Sequence, residues 1–75
     1  MKQRLPGAQM LAARELLGWT RDDISKKIGV APSSLKDVEI GRGSPANVDR
    51  LIALYEAAGV EFLPDGQVRK RRAPE

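Results

Sequence analysis

The stretch from Thr20 to Gly41, TRDDISKKIGVAPSSLKDVEIG, leaves the chain few ways to fold. Thr20 suits the capping position of a helix, and Ile24 and Ile28 follow four residues apart on one helical face. Gly29 supplies the left-handed backbone in which a chain leaves one helix and turns at once. Pro32 fits the first turn of a second helix, where its missing N–H costs nothing. Leu35 and Val38 give that helix an inner face, and Gly41 ends it. The spacing predicts two short amphipathic helices with only a tight turn between them.

Two helices joined in this way are the layout of a DNA-binding helix-turn-helix, whose second helix lies in the major groove. With Leu35 and Val38 turned inward, Ser33, Lys36, Asp37 and Ile40 point outward and Glu39 falls beside the buried face. Ser33 and Ser34 suit hydrogen bonds with base edges or phosphates. Lys36 is long enough for guanine O6/N7 or a phosphate, and Asp37 can accept from cytosine N4. Arg21, at the start of the first helix of the pair, is placed to grip a phosphate near that helix's N-terminal amides. A plainer role also fits: Lys36 and Asp37 as a solvated face, Ser33 and Ser34 as helix-start residues. Gathered on one exposed side after a glycine turn, they point to DNA. Ile40 either meets a thymine methyl or packs under the following loop.

The rest reads as scaffold. A first helix is expected from about Gly7 to Leu17, stopped by Gly18, with Met10, Ala13 and Leu17 on one face. A fourth starts with Ser44 as cap and Pro45 at its first position, carries Val48, Leu51, Ile52, Tyr55 and Ala58, and ends at Gly59. Beyond Gly59 the period shortens to the runs VEF and QVR around a Pro64-Asp65-Gly66 turn, which predicts a small hairpin or strand. An isolated hairpin is barely stable. A second copy is the preferred support, with Tyr55, Val60, Phe62 and Val68 as dimer contacts; an arm folded back on its own core is the alternative. The expected fold is all-α, a compact four-helix domain with a short C-terminal β arm. Trp19, after a helix-ending glycine, is expected to be a lid on the core.

Composition removes other classes. Among 75 residues there is no cysteine and no histidine, so neither a disulfide framework nor a His- or Cys-based catalytic or zinc site is available. No Gly-rich phosphate-cradling loop or calcium-loop pattern occurs, and no enzyme, cofactor or metal is expected. One Trp, one Tyr and one Phe make a poor platform for stacking single-stranded bases. No signal peptide and no apolar run of about 18 residues is present, so a cytosolic protein without membrane contact is expected. The net charge is +3. Residues 69–75, RKRRAPE, hold four basic side chains and one acidic, which leaves nine of each in residues 1–68. The chain is therefore divided into a DNA-binding domain with its arm, 1–68, and a basic, disordered tail, 69–75, which either adds phosphate contacts or merely aids solubility.

From about Gln9 to Arg69 the sequence resembles the lambda-repressor-like Cro/Xre family of bacterial and phage transcriptional regulators. The matching residues are ARELLGWTRDDISKKIGVAPSSLKDVEIGRGSP, followed by LIALYEAAGVEFLPDG. The resemblance implies that Arg21 stands where Gln is usual, keeping a phosphate contact but losing an amide's double-sided hydrogen bonding. It places the first recognition positions at Ala31, Pro32 and Ser33 and later ones at Lys36 and Asp37, with Pro32 a departure that shifts base reading toward Ser33, Lys36 and Asp37. It assigns Arg42 and Ser44 to a loop that grips phosphate, and Arg14 with Glu39 to a structural pair. Ser34 joins the phosphate set. The function implied is a homodimeric regulator, a repressor, on a two-fold double-stranded operator in the bacterial cytosol or nucleoid. The alternative is a protein-interaction module of antitoxin or antiactivator-target type, whose C-terminal arm binds a regulatory protein partner.

Overall fold

Thr20 and Asp23 start the central helix pair by satisfying each other's backbone. Thr20 Oγ1 accepts from the Asp23 amide at 3.0 Å, and the Asp23 carboxylate accepts from the Thr20 amide at 2.9 Å. Hydrogen bonding from the Thr20 amide, and after it from the Thr20 side chain, holds the Asp23 carboxyl below its usual pKa. The computed structural model describes residues 6–71. Its elements are α1 (Pro6–Leu17), α2 (Arg21–Ile28), α3 (Pro32–Glu39), α4 (Pro45–Ala57), β1 (Val60–Phe62) and β2 (Val68–Lys70). The fold is four helices with a short C-terminal hairpin, as the sequence predicts; α1 begins one residue earlier than expected, at Pro6.

Asp22 and Asp23 in the first turn of α2, and Lys26 and Lys27 in its last, complement the helix dipole. The turn to α3 depends on Gly29, whose φ of 71° is one that side chains resist. α3 lacks a side-chain cap at Ala31 and starts instead on Pro32. Ser44 caps α4, its hydroxyl accepting from the Asn47 amide at 3.2 Å. The core gathers Met10 and Ala13 from α1, Ile24 from α2, Val30 from the turn, Leu35 and Val38 from α3, Leu51 and Tyr55 from α4, and Val60 from β1. Leu35 and Val38 are both 1% exposed, so the inner side of α3 is fully committed and its outer side is left over.

The hairpin is antiparallel, with Val60 opposite Lys70, Glu61 opposite Arg69 and Phe62 opposite Val68. Its turn closes through the Leu63 amide on the Gln67 carbonyl at 2.8 Å and the Gly66 amide on the Leu63 carbonyl at 3.0 Å. Here the structure corrects two expectations. The arm finds its support within its own chain, β1 against α4 and β2 against α1. Tyr55 and Val60 are 0% exposed in the single chain, so neither is available to a second copy. Of the four expected dimer residues only Phe62 and Val68 keep exposed surface.

The boundary expected between 68 and 69 falls inside β2. Arg69 bonds across the strands to Glu61 at 2.8 Å. The Arg71 amide donates to the Gly59 carbonyl, and its guanidinium caps α4 by donating to the Glu56 carbonyl at 3.1 Å. These residues are part of the fold because strand pairing and an open helix end both need them. Residues 72–75 of the expected tail lie outside the described residues.

The loop between α3 and α4 is held by close approach. A Cβ on Gly43 would lie 2.8 Å from the Val38 Cα. Gly43→Ala is expected to destabilise the domain by about 1–3 kcal/mol through overpacking. In thermal unfolding that is a fall of about 4–8 °C for each kcal/mol; an unchanged midpoint would show that the loop yields freely.

Candidate nucleic-acid interface

The outer face of α3 is polar and open. Pro32, Ser33, Lys36 and Asp37 are exposed and Ser34 is half-buried. At 3.6 residues per turn, Ser33, Lys36 and Asp37 share an arc of about 100° opposite Leu35 and Val38. Their side chains enter no hydrogen bond or ion pair among the described residues, which leaves their donors and acceptors available to a partner. Ile40, at the end of the helix, is 55% exposed and does not pack under the following loop. Arg42 and Ser44 are exposed on that loop. The Arg42 amide donates to the Asp37 carbonyl at 2.7 Å, which ties the loop to the end of α3. The Ser44 hydroxyl already accepts the Asn47 amide, and its own proton stays free to donate.

Behind this face, three helices meet on one carboxylate. Glu39 is buried at the end of α3, its side chain 3% exposed. Arg14 of α1 donates from Nε to Oε2 at 2.7 Å and from Nη2 to Oε1 at 3.3 Å, and its Nη1 reaches the Trp19 carbonyl at 3.2 Å. The hydrogen bond to Glu39 is the main reason the Arg14 pKa is raised. Arg21 of α2 joins from the other side, Nε at 3.0 Å and Nη2 at 2.9 Å from the same Oε1.

The two arginines differ in what they contribute. The Arg14 side chain is 16% exposed and that of Arg21 39%. Removing one partner of a buried pair costs about 3–5 kcal/mol. A pair as open as that of Arg21 is worth about 0–1 kcal/mol. Arg14 therefore carries stability, while Arg21 remains turned partly to solvent at the start of α2. The sequence pattern gives no sign of the Arg21–Glu39 contact, because the approach of α2's first residue to α3's last turn arises only in three dimensions.

A helix-turn-helix family model matches residues 10–63, most of the chain and all of the motif. The chain belongs to the Cro/C1-type helix-turn-helix family. It is a DNA-binding regulator of that kind, and the family is not one of enzymes. No curated protein and no solved structure matches it significantly. Among the described residues of this Cro/C1-type domain, no helix is long and apolar enough to cross a membrane.

Trp19 and Tyr55 line the inner side of the Glu39 cluster. Their ring centroids are 6.4 Å apart, Phe62 lies 6.4 Å beyond Tyr55, and the Lys27 ammonium sits 4.8 Å from the Trp19 ring. The Tyr55 hydroxyl is buried with no hydrogen-bond partner among the described residues. Burial, and secondarily the Glu39 charge, push its pKa up to about 12, against a smaller pull from Arg14. Tyr55 is the one tyrosine in the chain, so absorbance titration reads it directly. It is expected to ionise at about 12 in the folded domain. Because the folded pKa lies above the unfolded value, its contribution to stability is intact below about pH 10 and is lost as pH rises towards 12. Ionisation at 10 in folded protein would contradict the burial.

Proposed function

We propose that this regulator is a repressor that binds a two-fold operator as a homodimer, with α3 in the major groove. The observation that carries the reading is the unengaged arc of Ser33, Lys36 and Asp37, directly opposite the committed core face of α3. In this reading Ser33, Lys36 and Asp37, with Pro32 beside them, read base edges, and Arg42, Ser44, Ser34 and Arg21 hold phosphates. Two copies would set their α3 helices about 34 Å apart, one turn of duplex. Phe62 and Val68 on the hairpin are the apolar residues left to join the copies. Binding at this spacing would block a promoter by occupancy, which is the argument for repression.

Selection from a random duplex library is the direct test. The expected product is a palindromic consensus whose half-site centres lie one helical turn apart. Lys36→Ala is expected to weaken binding to that site by about 1–3 kcal/mol and to relax preference at one position. Arg42→Ala is expected to weaken all sequences alike and to lower the salt slope by about one. Enrichment of a single asymmetric half-site would overturn the dimer, and no enrichment at all would overturn operator binding.

A further inference from the structure

Among the described residues, Arg21 is the one side chain in the expected DNA-contacting set that already has a charged partner. Its guanidinium turns the edge bearing Nε and Nη2 toward Glu39 Oε1, at 3.0 and 2.9 Å, and leaves Nη1 without a partner among the described residues. Arg14 alone balances the carboxylate, with Nε at 2.7 Å and Nη2 at 3.3 Å. The cluster of two guanidinium groups and one carboxylate therefore keeps one net positive charge, and Arg21 is its more exposed member.

We propose that Glu39 is the positioning residue for the Arg21 phosphate contact. The inference rests on the reading above, in which Arg21 meets the DNA backbone. Glu39 itself touches no DNA: its side chain is 3% exposed, and it acts by fixing the guanidinium plane. A free arginine loses rotamer freedom when it grips a phosphate, whereas Arg21 has lost most of it on folding. The carboxylate takes one edge of the guanidinium and presents the other outward, where the fork geometry suits a phosphate oxygen. A Gln at this position would offer the carboxylate a donor but no charge, so the arrangement belongs to Arg21 specifically.

The opposite reading makes Glu39 a competitor that holds Arg21 away from DNA. The two readings differ in sign. Binding is to be measured to a short mixed-sequence duplex at several salt concentrations, since a phosphate contact needs no operator, for the wild type, Arg21→Ala, Glu39→Gln and the double variant. Positioning predicts that Glu39→Gln weakens binding about three- to tenfold. It also predicts that this loss disappears in the Arg21→Ala background. Tighter binding by Glu39→Gln, or an equal loss in both backgrounds, overturns it. If Arg21→Ala binds as the wild type does, the underlying phosphate contact is wrong, a separate failure. Should Glu39→Gln not fold, the Arg21 Nε–H signal of the wild type decides by NMR. Slow exchange of that proton retained in the DNA complex supports positioning, and its loss on DNA binding overturns it.

Discussion

Glu39 is a carboxylate that the fold has taken out of water, and the placement of three helices follows from the need to pair it. A buried charge without partners is far more costly than any single apolar contact here is favourable. Arg14 must therefore reach it from α1, which fixes how α1 lies across α3. The same arginine takes the Trp19 carbonyl, so the chain leaving α1 is held at the point where α2 begins. With Arg21 on the remaining side, the start of α2 and the end of α3 are joined by charge, while Ile24, Leu35 and Val38 join them by packing. The outer face of α3 is presented rigidly because its inner face has two independent reasons to stay where it is.

Much of this was legible in the sequence because its causes are local. Thr20, Gly29, Pro32, Ser44 and Pro45 act on their own turn of chain, and each marks a helix boundary. The wheel of α3 separated Leu35 and Val38 from Ser33, Lys36 and Asp37 because a buried stripe on an eight-residue helix admits one orientation. The resemblance supplied the partner for Glu39 from α1. What could not be read was any choice between two burial sites for the same side chain. Tyr55 and Val60 fit a core and a dimer seam equally well by pattern. The decision came from the docking of the hairpin, above all of β2 on α1, a contact between segments distant in sequence. Arg21 likewise looks like a free surface charge until α2 and α3 are brought together.

The charge inventory needs the same correction. A basic C-terminal run suggests a loose electrostatic arm, yet Arg69 and Arg71 are taken up by Glu61 and by the open carbonyl of Glu56. Their hydrogen bonds close a hairpin and cap a helix. The positive charge remains, so the run still contributes to the long-range field, but its geometry is that of the fold. The grip on DNA is then expected to come from fixed groups around α3 and its loop, and specificity from how rigidly they are held.

The unequal exposure of Arg14 and Arg21 has an evolutionary side. Removing Glu39 strands the mostly buried Arg14 guanidinium, at about 3–5 kcal/mol. That is a large share of the roughly 5–15 kcal/mol by which domains are stable. Arg21 shares the carboxylate without being required by it, so its replacement leaves the core intact. Descendants of this sequence can thus change the proposed Arg21 contact one substitution at a time while the architecture beneath stays locked.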